Sequence, residues 1–105
     1  MQEFIQVFTT TGSQADAQAI AHELVDRQLA GCVQILGPIT STYRWQGEIE
    51  TAQEWLCLIK AGRAVYIELE AAIKELHPYD TPEILAMPVA AGSADYLSWL
   101  QQVLK

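Results

Sequence analysis

The densest chemistry in the sequence is the run His77-Pro78-Tyr79-Asp80-Thr81-Pro82-Glu83. It places an imidazole, a phenol and two carboxylates close together. The two prolines fix it as a loop. A neutral imidazole beside carboxylates suits a divalent cation, and the same groups suit a small polar ligand. The plainer alternative is a rigid turn whose polar groups cap backbone or bridge subunits. Spacing alone favours the turn, because metal sites usually need three or more converging ligands.

Other candidates are more scattered. Glu54 and Lys60 share one in-out parity on a strand, with Trp55 and Leu56 between them. They can form a buried ion pair, line a cleft, or lie on a solvated face. Tyr43, Trp45, Trp55 and Trp99 can build a stacking platform, but core and subunit interface explain them more simply. Cys57 reads as a small buried hydrophobe inside a strand, while Cys32 follows a helix end, where a thiol can stay reachable. The chain has no Gly-rich phosphate loop, no Gly-x-Ser-x-Gly elbow and no His-Glu-x-x-His. A Ser-His-Asp triad would have to use His22 or His77, and His22 reads as an ordinary helix histidine. A nucleophilic enzyme is unsupported.

The elements that must position these groups follow from periodicity. Phe4 to Thr9 reads as a strand apolar on both faces. Ser13 caps a helix carrying Ala17, Ile20, Ala21, Leu24 and Val25 at helical spacing, with Gly31 as its end. Cys32 to Trp45 is a long strand interrupted at Gly37-Pro38, where a bulge or bend belongs. Gln46-Gly47 turns the chain, and Glu48 to Lys60 returns as its partner. Arg63 to His77 is a helix with Tyr66, Leu69, Ile73 and Leu76 as its buried stripe, stopped by Pro78. Glu83 to Val89 is a fourth strand, and Ala94 to Leu104 a closing helix capped by Ser93. The order predicts an α+β, ferredoxin-like (split βαβ) domain over residues 1–105, with an antiparallel sheet, a long β-hairpin and an extra C-terminal helix. Helices on one sheet face leave the other face and the outer hairpin to be covered by another copy.

Composition narrows the function. The 105 residues carry 6 Lys and Arg against 13 Asp and Glu, a net charge of −7. That balance argues against nucleic acid and against anionic lipid. No apolar run reaches the length of a membrane span, no signal peptide is visible, and a cytoplasmic location with reduced cysteines is expected. Only 18% of residues are charged, against about 25% in a typical globular domain, consistent with surface hidden in an oligomer.

Several motifs, in order, resemble one family. Gly31-Cys32-Val33-Gln34-Ile35, Ser41-x-Tyr43-x-Trp45-x-Gly47-x-Ile49, Glu54 and Lys60, His77-Pro78-Tyr79-Asp80-x-Pro82-Glu83-Ile84, and Tyr96-Leu97-x-Trp99 are similar to stretches of the CutA divalent-cation-tolerance proteins. The resemblance implies a tight, PII-like homotrimer whose sheets face inward and whose hairpins pair across subunits. Tyr43, Trp45, Trp55 and Trp99 are then the expected interface residues. It also implies tolerance of copper and other divalent cations, with no enzymatic activity and no required cofactor. Some members have a second histidine where Leu76 stands and a cysteine where Thr9-Thr10-Thr11 stands. The metal ligands left to this chain are His77, Asp80, Glu83 and Cys32, and Lys60, Tyr79, Glu54 and Trp45 are the candidate lining of an intersubunit cleft. The alternatives are a PII-like trimer sensing a small effector and a structural or adaptor trimer.

Overall fold

A computed structural model describes residues 3–105. The chain runs β1 (Phe4–Thr11), α1 (Gln14–Asp26), β2 (Cys32–Trp45), β3 (Glu48–Gly62), a 3₁₀ turn (Arg63–Val65), α2 (Tyr66–Leu76), β4 (Leu85–Pro88) and α3 (Ala94–Val103). The strands form one antiparallel sheet in the order β2-β3-β1-β4. This is the expected split βαβ arrangement with an added helix.

Alternation sorts the sheet into two faces. Ile5 and Val7 of β1 lie opposite Ala61 and Ile59 of β3. With Ile20, Leu24, Leu69 and Ile73 of α1 and α2 they form the buried core. The other face carries Phe8, Leu56 and Leu58 in the middle, and Leu36, Leu85 and Met87 towards the edges. Leu36, Leu85 and Met87 are exposed. No element of the described chain layers over this apolar surface as α1 and α2 do over the core.

The ends of the elements have local causes. The Ser13 side chain accepts the Asp16 amide, as expected of an N-cap. Helix α1 ends earlier than Gly31. Gln28 takes the left-handed conformation at φ 59, while the Leu29 amide donates to Leu24 and the Gln28 amide to Val25, a Schellman end. Gly31 serves packing instead, since a Cβ there would lie 2.4 Å from the Leu100 side chain of α3. The expected Arg63–His77 helix starts with a 3₁₀ turn, and no side chain caps α2 at Val65. The fourth strand is only Leu85–Pro88, with β1 as its neighbour.

The β2–β3 hairpin closes with Gln46 and Gly47 both at positive φ, the backbone of a two-residue turn matched to strand twist. All residues from 42 to 51 are exposed. The hairpin stretches the molecule to 45 × 25 × 22 Å. The pairing register shifts between Leu36 and Ile39, at the Gly37-Pro38 break.

Candidate functional site

The polar loop begins where α2 ends. His77 caps the helix, and its amide makes the last helical bond, to Ile73. His77 is buried, with 7% of the residue exposed. The Tyr79 amide donates to Nδ1 at 3.1 Å, so that nitrogen carries no proton. Nε2 therefore holds it and donates to the Thr10 carbonyl at 2.7 Å. Both ring nitrogens are occupied in fastening the loop to the end of β1.

Tyr79 extends from that anchor, its ring 4.8 Å from the His77 ring. It crosses so close to Gly12 that a Cβ there would meet the phenol oxygen at 3.1 Å. The phenol donates to Glu54 Oε2 at 2.9 Å. Burial, helped by the Glu54 carboxylate, pushes the Tyr79 phenol up to about 12. Glu54 itself is only 9% exposed. It pairs with Ile39 just beyond the break in β2.

These groups form one side of an open groove of about 720 Å³. The loop supplies Tyr79, Asp80 and Glu83; the hairpin supplies Tyr43, Trp45, Glu50 and Glu54. Thr10 and Ser41 add hydroxyls, and among the described residues no Lys or Arg lines the groove. It is thus acidic with aromatic walls.

The expected sites are brought together only in part. Tyr79, Glu54, Trp45, Asp80 and Glu83 meet around this groove, and His77 holds its loop from behind. Lys60 shares the open face with Glu54 but stands six residues along β3, about 20 Å at strand rise, and donates to Gln34. Of the three readings open for Glu54 and Lys60, the ion pair is therefore not formed within one chain. Cys32 lies opposite Lys60 at the far end of the hairpin, beside Tyr96, whose phenol is raised by burial and by the Cys32 thiol. Neither Cys32 nor Lys60 lines the groove within one chain. Among the described residues, no three His, Cys, Asp or Glu side chains converge as a metal-binding group.

The four expected interface aromatics also divide. Tyr43 and Trp45 are exposed on the groove face of the hairpin, and Trp99 is exposed on α3, its ring tilted against that of Tyr96. Trp55 has the opposite parity. It packs towards the core and over Gly37, where a Cβ would lie 2.4 Å from its ring.

Glu50 was missed by sequence reasoning. It pairs with Tyr43, a pairing that follows from counting outward from a two-residue Gln46-Gly47 turn. The approach of Thr10 to the loop has no signal in the sequence.

A family described as "CutA1 divalent ion tolerance protein" matches residues 5–103. The divalent-cation tolerance protein CutA of Thermus thermophilus is 45% identical over 91% of this chain and 93% of its own length. The crystal structure of CutA1 from Oryza sativa superposes with a TM-score of 0.96 at 32% identity, covering 98% of this chain and 94% of that one. The structure of CutA from Archaeoglobus fulgidus, described as a periplasmic divalent cation tolerance protein, gives 0.92 at 34% identity, with both chains fully covered.

Proposed function

The chain belongs to the CutA1 divalent ion tolerance family, and on that premise we propose that it is a metal-homeostasis protein that binds divalent cations, copper among them, weakly and without catalysis. The observation that carries this reading is the meeting of Asp80 and Glu83 with Glu50 and Glu54 around one groove that no Lys or Arg of the described residues lines. Carboxylates are ligands for hard and borderline divalent ions. Their failure to converge within one chain fits a weak, partly hydrated site. His77 would serve as a ligand only after releasing the Thr10 carbonyl or the Tyr79 amide; with both bonds kept it positions the loop. Cys32 and Lys60 would join only from a neighbouring copy.

Copper(II) titration by calorimetry tests the proposal. Wild type should give a saturable heat, and an Asp80→Asn, Glu83→Gln double variant should lose it. Equal heats would overturn the loop carboxylates as ligands. His77→Ala separates ligand from support: loss of copper heat with an unchanged melting temperature marks a ligand, whereas a lower melting temperature with copper heat retained marks support.

The working form is a homotrimer, supported by the open apolar sheet face with Phe8, Leu56, Leu58 and Met87. The cytoplasm is the proposed location, with Cys32 and Cys57 as free thiols; the periplasmic description of the Archaeoglobus relative names the alternative. A second reading is a PII-like trimer sensing a small effector, favoured by the size of the groove and by Tyr79, Glu54 and Trp45 on its walls. Metal-independent thermal stabilisation by one metabolite would support it.

A further inference from the structure

We propose that the copies of this chain meet head to tail, with the Lys60 ammonium of one seated against Glu54 of the next; this rests on the trimer reading and adds which end of the open sheet face meets which. The strands carry two basic residues, Arg44 and Lys60. Register places Arg44 opposite Ile49 on the other face, and Lys60 on the open face. Lys60 is half-buried there. It donates to the neutral Gln34 side chain, and among the described residues no carboxylate pairs with it. In a single chain, water still reaches the ammonium. A copy laid over the face removes that water, and an ammonium buried without a counter-charge is strongly unfavourable.

The covering copy therefore has to bring an acid. The carboxylates of the strands are Glu48, Glu50 and Glu54, all on β3, all with the parity of Lys60 and all towards the hairpin. Glu54 is the one beside the apolar middle of the face, separated from Lys60 there by Leu56 and Leu58. It is also the one already held in place, buried and fixed by the Tyr79 phenol on Oε2, so pairing orders little that was free. The face thus runs from acid through apolar to base. Two copies laid with like ends together set carboxylate on carboxylate and ammonium on ammonium, which is repulsive. Opposite ends together match charge to charge and keep Leu56 and Leu58 between them. With three copies, every Lys60 is satisfied only if each copy gives its hairpin end to one neighbour and takes that of the other. That is the heterologous contact that closes a ring.

The test is a double-mutant cycle of Lys60→Met and Glu54→Gln in the full-length protein, read as the trimer dissociation constant by sedimentation equilibrium. Within one chain the two side chains stand about 20 Å apart at strand rise, too far to couple, so any coupling crosses between copies. Each single variant should weaken the trimer. The double variant should lose less than the two losses combined, with a coupling of about tenfold or more. Lys74→Met, which breaks a surface pair with Glu70, should leave the dissociation constant unchanged. Lys60→Glu keeps the test valid if Glu54→Gln fails to fold: it sets like charges together and should weaken the trimer at least tenfold more than Lys60→Met. Independent effects in the cycle, or equal weakening by Lys60→Glu and Lys60→Met, overturn the head-to-tail pairing while the trimer stands. A wild-type monomer overturns the trimer reading itself.

Discussion

At the scale of single residues, the site rests on His77, Tyr79 and Glu54. His77 spends both nitrogens on backbone groups, which sets the path of the loop and delivers the Tyr79 phenol to Glu54. Removing that donor leaves a buried carboxylate short of a partner. Tyr79→Phe should therefore destabilise the fold by about 1–2 kcal/mol, read by urea unfolding. The pH dependence has a definite sign. The neutral phenol is favoured in the folded chain, raised from 10.0 to about 12 by burial first and by Glu54 next. Its contribution is complete below pH 10 and is lost as pH rises through about 12. An alkaline absorbance titration should show a late-ionising tyrosine in wild type that Tyr79→Phe lacks. A late phase unchanged in the variant contradicts the assignment.

At the scale of elements, the break at Gly37-Pro38 decides what the hairpin displays. Before it, even-numbered residues of β2 (Cys32, Gln34, Leu36) face the open side of the sheet, opposite Lys60, Leu58 and Leu56. After it, the register has shifted by one, and odd-numbered Ile39, Ser41, Tyr43 and Trp45 face that side. A one-residue slip turns every following side chain over. Without the break, Tyr43 and Trp45 would point away from Glu54. The bend also needs Gly37, because Trp55 fills the place of a Cβ. Gly37→Ala should cost about 1–3 kcal/mol through overpacking, measured by chemical denaturation. A variant as stable as wild type would show that Trp55 has another place to go. The sequence showed where the break falls from Gly-Pro, but a single-sequence parity count cannot say how many residues the break adds to the register.

At the scale of the whole molecule, the open sheet face is the feature that one chain leaves unsatisfied. An isolated two-stranded ribbon is marginal in water, yet here residues 42 to 51 stand exposed beyond the sheet, next to an apolar face. A second and third copy would cover both. Light scattering at micromolar concentration should give about three times the chain mass of 11.7 kDa. Leu58→Glu, which places a charge in the middle of that face, should lower the assembly to monomer or dimer. A wild-type monomer, or a Leu58→Glu trimer, would contradict this interface. The charge content of 18%, low for an isolated domain, is accounted for if this face is covered.

The order of elements, the Ser13 and Ser93 caps, the stop at Pro78 and the turn at Gln46-Gly47 were all legible in the sequence, because each depends on neighbours within a few residues. The motifs of the polar loop and hairpin were legible for the same reason, and they carried the family resemblance. The end of α1 before a left-handed Gln28, the inward turn of Trp55 and the separation of Lys60 and Cys32 from the loop were not. The assembly of Glu54 with Tyr79, and of His77 with Thr10, joins residues 25 and 67 positions apart. No local preference specifies such contacts. They exist because packing of α2 on the sheet brings the end of one helix over the end of β1, and only the tertiary structure decides that.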